Sequence, residues 1–219
     1  MGVSASGLHM IQAMRRKDQG RRRAQLGAAA RELLLEHGAL GLRVKDIAQR
    51  AGISSSAVLY YYPDLDDLVL EVSRDAMSRY AERRAEAIRG IADPVAQLRV
   101  AIGLGVPTGP DDEDSRLLYE LDAMTGASKL FATLSAAFFD RQVMLYEHVL
   151  ERGADSGAFA LESDPTTVAR GLVALEDGLG LQVVLGHPEV DAAAGEAVLV
   201  AWASAATGVD LAAYEPAPA

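Results

Sequence analysis

The stretch Val44-Lys45-Asp46-Ile47-Ala48-Gln49-Arg50-Ala51-Gly52-Ile53-Ser54-Ser55-Ser56-Ala57-Val58-Leu59-Tyr60-Tyr61-Tyr62-Pro63 decides how this chain is read. Ile47, Ala51, Ile53, Val58 and Tyr61 fall at spacings that turn inward from two short crossed helices. Ala48 is small enough for the second helix to cross closely, and Gly52 supplies the positive φ of a tight turn. Ser54 is placed to cap the second helix by accepting a hydrogen bond from a free N–H of its first turn. Ser55, Ser56 and Ala57 then face outward, a short polar edge suited to a DNA major groove. The same spacing also fits an ordinary helical hairpin, so features outside this stretch must separate the two.

Charge does part of that work. The 219 residues carry a net charge of −10, yet residues 1–60 hold ten Lys or Arg against Asp18, Glu32, Glu36 and Asp46, a net +6. The remainder is therefore −16. A basic end on an acidic body offers one face to phosphates and keeps the rest away, which agrees with a DNA-binding motif. Runs such as Arg15-Arg16-Lys17 and Arg21-Arg22-Arg23 by themselves equally describe a solvated tail.

Composition narrows the class further. Half of the residues are hydrophobic, prolines are few, and Ala, Leu, Glu and Arg dominate without strand-like alternation, so an all-α protein with a sizeable core is expected. There are no cysteines, which excludes disulfides, thiolate metal sites and thiol chemistry. No apolar run approaches the ~20 residues that span a bilayer, and no secretory leader opens the sequence, so a cytoplasmic protein is expected. Met1-Gly2-Val3-Ser4-Ala5-Ser6 formally fits an N-myristoylation pattern, although such residues are common in plain leaders and nothing else is membrane-directed.

Along the chain, residues 1–19 read as a flexible basic tail and 20–63 as a three-helix head, with a first helix from Gly20 to His37 stopped by Gly38. Residues 64–208 read as a larger helical domain and 209–219 as a second tail. Asp66 and Asp67 suit a helix start, and Asp93-Pro94 and Asp164-Pro165 open further helices with proline in the first turn. Gly171, Ala174, Gly178 and Leu181 recur at helical spacing, as do Ala194, Ala197, Ala201 and Ala205. Small residues so spaced let helices approach closely. They fit a homodimer seam built as a four-helix bundle, and they also fit packing within one subunit.

These residues together resemble the TetR family of transcriptional regulators. The likeness over residues 20–70 is carried by Gly38, Val44-Lys45-Asp46-Ile47-Ala48, Ala51-Gly52-Ile53-Ser54, Leu59-Tyr60-Tyr61-Tyr62-Pro63 and Asp66-Asp67-Leu68. Leu42, Leu59 and Leu65 depart from it, standing where a capping Thr, a Tyr and a phosphate-contacting Lys are usual. Leu172-Val173-Ala174-Leu175-Glu176-Asp177-Gly178-Leu179-Gly180-Leu181-Gln182 is similar to the BetI-type C-terminal domain. The resemblance implies a homodimeric repressor that leaves a near-palindromic double-stranded operator when a small-molecule effector binds its body. Arg43, Lys45, Ser54, Ser55, Ser56, Ala57, Tyr60 and Tyr61 are the candidate DNA contacts. Tyr119, Met124, Phe131, Phe138 and Leu175, with Glu120 or Glu176 as polar anchors, are the candidate effector contacts; the same apolar positions also read as plain core.

Two rival functions stay in view. A helical enzyme is disfavoured because His9, His37, His148 and His187 are scattered and no nucleophile elbow or phosphate loop occurs, so no catalytic residue, metal or cofactor is assigned. A non-specific DNA-coating protein is disfavoured by the acidic body, since coating calls for basic charge throughout.

Overall fold

The structure is a computed structural model that describes residues 5–126 and 128–214, with side chains from Lys17 onward. Among the described residues it is all-helical: α1 (Ala5–His37), α2 (Val44–Arg50), α3 (Ser55–Tyr61), α4 (Leu65–Ile88), α5 (Pro94–Gly105), α6 (Glu113–Asp122), α7 (Lys129–Asp155), α8 (Pro165–Val184) and α9 (Ala192–Thr207), with a short 3-10 turn at Ala39–Gly41. The chain divides into two compact units, one ending at Asp75 and the other beginning at Ala76. That division falls inside α4 rather than at residues 63–64, because the first turns of α4 bury Leu68, Val69, Leu70 and Val72 with the head.

The smaller unit is built on α1, whose Leu26, Ala30, Leu33 and Leu34 are buried along one side. Gly38 stops the helix with φ 70°, a left-handed conformation natural to glycine. Helix α1 extends back to Ala5 instead of starting near Gly20, so residues 5–19 are helical where the sequence suggested a tail. Of the formal N-myristoylation pattern at residues 1–6, residues 1–4 lie outside the described residues, and Ala5 and Ser6 begin α1. Ile47, Ala48, Ala51 and Val58 are buried as their spacing required, and Gly52 takes φ 66° in the turn between α2 and α3. Tyr61 is only half-buried; the inward tyrosine is Tyr62, 1% exposed, under the Arg23 guanidinium 4.3 Å from its ring centre. Tyr62 follows the last residue of α3, where the chain leaves the helix and turns its side chain back toward α1.

In the larger unit helix starts are set by side-chain caps: Asp93, Asp112, Ser128, Asp164 and Asp191 each accept a hydrogen bond from a backbone N–H in the following turn. The core joins Leu98, Ala101 and Ile102 of α5, Tyr146, Val149 and Leu150 of α7, Val168, Leu172 and Val183 of α8, and Leu199 and Ala203 of α9. Leu211 is also fully buried in this core, with its N–H donated to Ser204 Oγ at 3.1 Å. Residues 209–214 therefore close the unit and are no tail, while 215–219 lie outside the described residues.

Candidate DNA-reading face and effector cavity

The reading face begins with the cap of α3. Ser54 holds an extended backbone (φ −79°, ψ 153°) while its hydroxyl accepts from the Ala57 N–H at 3.2 Å. Ser54 and Ser56 hydroxyls lie 3.0 Å apart, and Ser54, Ser55 and Ser56 are exposed with Ala57 half-buried behind them. Tyr60 is 73% exposed and meets Tyr61 edge-on with ring centres 5.2 Å apart. Arg43 and Lys45, at the start of α2, are exposed, and their side chains carry no hydrogen bond or ion pair among the described residues. Arg43 precedes α2 without a side-chain cap, so no hydroxyl there replaces the one that Leu42 lacks.

Not every basic residue of the head is available to phosphates. Arg50 is held by Glu32 at 2.8 Å and Glu36 at 2.7 Å, clamping α2 to α1. Arg23 is paired with Glu71 at 2.5 Å. The basic excess seen in the sequence thus divides into cations that fasten the head and cations such as Lys45 that remain open to a polyanion.

A cavity lies in the larger unit among α4, α6, α7, α8 and the end of α5, with about 80 Å³ of free space. Four rings line it: Tyr80, Tyr119, Phe138 and Phe139. Tyr80 and Phe138 stand edge to face with centres 5.7 Å apart, and the Tyr80 hydroxyl donates to the Gly105 carbonyl at 3.1 Å. The Tyr119 hydroxyl donates to the Asp177 carbonyl at 3.2 Å, and Ser135 donates to Asp122 at 2.7 Å. Asp122, Glu176 and Asp177 supply three carboxylates to the wall, which contains no basic side chain. Burial, reinforced by the charges of Glu176 and Asp122, pushes the Asp177 carboxyl up to about 6. Burial likewise pushes the Tyr80 hydroxyl up to about 12.

Behind this wall sits a buried ion pair. Arg84 is 0% exposed and Glu176 4%, and the guanidinium grips both carboxylate oxygens at 2.9 and 3.1 Å. The Tyr146 hydroxyl also donates to Glu176, while Arg84 further donates to Gln142 Oε1 at 2.8 Å, the Ala101 carbonyl at 2.9 Å and the Tyr146 oxygen at 2.8 Å. Burial lifts the Glu176 carboxyl above the usual range against the opposing pull of Arg84. Burial is the largest single influence on Arg84 and opposes its charge, but Glu176, Tyr146 and Tyr80 together outweigh it and keep the guanidinium protonated. Gly105 leaves the room for this pair: a Cβ there would come within 1.7 Å of Glu176 Oε1.

Of the effector contacts expected from sequence, Tyr119, Phe138 and Glu176 meet in the cavity. Glu120, Met124, Phe131 and Leu175 do not line it. Phe131 is 2% exposed in the interior, Leu175 packs on the core, and α6 ends at Asp122, before Met124. Tyr80, Gln142, Phe139, Asp122 and Asp177 also line the cavity, with Arg84 behind the wall, and none of these is among the residues expected from sequence. The readable signal was Met77, Tyr80 and Arg84 on one face of α4, an arginine in line with residues that had to be buried.

The small-residue positions also sort by environment. Ala174, Gly178 and Leu181 on α8 and Ala197, Ala201 and Ala205 on α9 are exposed, while Ala194 is half-buried. Gly171 turns toward its own subunit instead: a Cβ there would come within 2.6 Å of the Trp202 ring on α9. Among the described residues no helix is long and apolar enough to cross a membrane, and no cluster of three or more side chains is placed to hold a metal ion.

A helix-turn-helix head joined to a helical body with an internal cavity defines a class of DNA-binding regulators, and comparison with known proteins agrees. Residues 26–72 match the family described as bacterial regulatory proteins, tetR family, and residues 94–207 match the BetI-type transcriptional repressor C-terminal domain. The HTH-type transcriptional regulator BetI of Burkholderia cenocepacia is 32% identical over 180 residues, 78% of this chain and 86% of that protein. The regulator PksA of Bacillus subtilis is 25% identical over 175 residues, 80% of this chain and 84% of that one. A solved regulator from Saccharomonospora viridis, determined in complex with choline, superposes with TM-score 0.76 at 24% identity, covering 82% of this chain and 94% of its own. A TetR regulator from Haloarcula marismortui gives TM-score 0.76 at 22% identity, covering 86% and 99%. The chain belongs to the TetR family of DNA-binding transcriptional regulators, with a C-terminal domain of the BetI type.

Proposed function

We propose that this regulator is a homodimeric repressor that binds a near-palindromic operator through α3 and releases it when a small organic cation enters the cavity. The observation that carries the reading is the cavity wall, where four aromatic rings stand beside Asp122 and Asp177, two carboxylates in no ion pair among the described residues, and no basic side chain lines the wall. Ring faces attract cations, most strongly where water is excluded, and carboxylates supply the opposite charge. The choline held by the Saccharomonospora viridis relative is a ligand of this chemistry.

Space supports a mechanism of induction. About 80 Å³ is well below the roughly 150 Å³ cavity that accommodates a benzene ring, so a guest of that size or larger displaces the rings around Tyr80 and Phe138. Tyr80 belongs to α4, the helix whose first turns bury Leu68 and Leu70 in the head. A ligand that favours the displaced arrangement over the DNA-bound one lowers operator affinity by the ratio of its two affinities, and one with equal affinities shifts nothing. Asp177 stands at the rim of the cavity, at a position to meet the ligand charge, and the exposed faces of α8 and α9 offer the dimer seam.

Thermal denaturation with choline and with its uncharged isostere 3,3-dimethylbutan-1-ol tests the cavity chemistry, since a ligand selective for the folded state raises the melting temperature. Choline is expected to stabilise and the neutral alcohol to do so much less. Equal responses to both would overturn the cationic reading. Selection from random duplex DNA tests the operator, and the absence of any preferred sequence would overturn specific binding.

A further inference from the structure

A second, more open cleft of about 440 Å³ lies between α4 and α7, reaching the start of α5, and its chemistry is opposite to that of the effector cavity. Arg89, Arg141, Arg152 and His148 line it, and no carboxylate does. In a protein of net charge −10 such a grouping is out of keeping with the surface as a whole. Arg89 is occupied by Glu86 at 2.5 Å. Arg152 donates only to neutral partners, Gln97 Oε1 at 2.9 Å and the Ala92 carbonyl at 3.0 Å, so its charge is uncompensated there. Arg141 is exposed, and its side chain has no hydrogen bond or ion pair among the described residues.

Gln142 supplies an independent observation. It is 3% exposed, and its Nε2 has no hydrogen-bond partner. Its orientation is fixed, because Oε1 accepts from Arg84 at 2.8 Å and a flipped amide would set N–H groups against N–H groups. A buried donor without an acceptor is destabilising, so this one calls for a partner such as a ligand or a water. Gln142 lines this cleft as well as the first cavity. An organic carboxylate in this cleft would bring an acceptor to that side of Gln142.

The remaining lining is apolar: Ala85, Ile88 and Leu145 form the wall, and Met144, 65% exposed, stands at the mouth. We propose that this cleft is a second ligand site, for a small organic carboxylate with an apolar tail. The carboxylate meets Arg141 and Arg152 and accepts from Gln142 Nε2, while the tail lies on Ala85, Ile88 and Leu145 and under Met144. The site does not depend on the cationic reading of the first cavity. Its occupancy bears on that cavity through the bonded series Gln142, Arg84 and Glu176.

Calorimetric titration of the full chain with octanoate, octan-1-ol and inorganic phosphate tests the assignment. Saturable octanoate binding is expected, with both others weaker by about tenfold or more, because each lacks either the charge or the tail. Arg141→Gln removes no internal bond and is expected to leave the melting temperature unchanged while weakening octanoate about tenfold. Asp177→Asn, in the first cavity, is expected to leave octanoate affinity unaltered. No saturable binding in the millimolar range, equal binding of octanol or phosphate, or insensitivity to Arg141→Gln would overturn the proposal. So would tighter octanoate binding by Asp177→Asn, since that places the anion beside the carboxylates of the first cavity.

Discussion

Replacing Arg84 by methionine probes the part of the body on which the cavity wall depends. The change removes both contacts to Glu176 together with those to Gln142, Ala101 and Tyr146, and leaves a carboxylate 4% exposed with only the Tyr146 hydroxyl for company. Breaking a buried pair from one side costs about 3–5 kcal/mol, because the remaining charge keeps its desolvation penalty without its partner. For a protein of this size about 2–4 °C is lost per kcal/mol, so melting should fall by roughly 6–20 °C. Trp202 is the single tryptophan and lies in the larger unit, so its fluorescence reports that unit's transition. The loss should depend on pH. Burial already raises the Glu176 carboxyl, and without Arg84 it takes up a proton that the unfolded chain does not hold above the ordinary carboxylate pKa. Stability of the variant then falls as pH rises, by up to about 1.4 kcal/mol per pH unit, until the folded carboxyl ionises. Arg84→Met combined with Glu176→Met should recover at least half of the single loss, since an apolar pair leaves no charge stranded. A cost below about 1 kcal/mol for Arg84→Met, or a double variant no better than the sum of the singles, would refute this account.

Asp177→Asn should abolish the pH dependence of choline binding: in the parent, affinity should drop about tenfold from pH 7 to pH 5 as the carboxyl with pKa about 6 is protonated, a loss read by calorimetry. Lys45→Ala should weaken binding to every duplex alike and flatten the salt dependence by about one unit, whereas Ser55→Ala should change sequence preference; electrophoretic titration at several salt concentrations separates the two. Gly178 has open space where a Cβ would stand, so Gly178→Leu should leave the subunit folded yet cost a seam at this position about 1–3 kcal/mol. Light scattering at micromolar concentration should then detect monomer, and an intact dimer would remove α8 from the interface. Gly105→Ala should displace Glu176 and destabilise the larger unit by about 1–3 kcal/mol in thermal unfolding, with operator specificity unchanged.

The head was legible because its determinants are local. Gly52 with its positive φ, the Ser54 cap and the inward spacing of Ile47, Ala51 and Val58 act within a few turns, and each took the conformation its chemistry favours. Helix starts at Asp93 and Asp164 were equally local, since a capping carboxylate followed by proline suffices. The inward tyrosine was misplaced by one residue because Tyr60, Tyr61 and Tyr62 are chemically alike, and only the exit of the chain from α3 selects Tyr62.

What periodicity could not decide was which face of one helix meets which face of another. Phe131 and Phe138 lie seven residues apart on the same apolar side of α7, yet one is buried in the interior and the other opens on the cavity. Asp177 follows Glu176 directly, but only tertiary packing sets one against Arg84 and the other at the rim. The sequence by itself determined an all-α regulator with a basic reading head and an apolar body, because helix propensity, caps and charge separation are properties of short segments. The tertiary structure alone decided the cavity wall and the burial of Arg84, because their energies depend on groups brought together from α4, α5, α7 and α8 and on the water excluded between them.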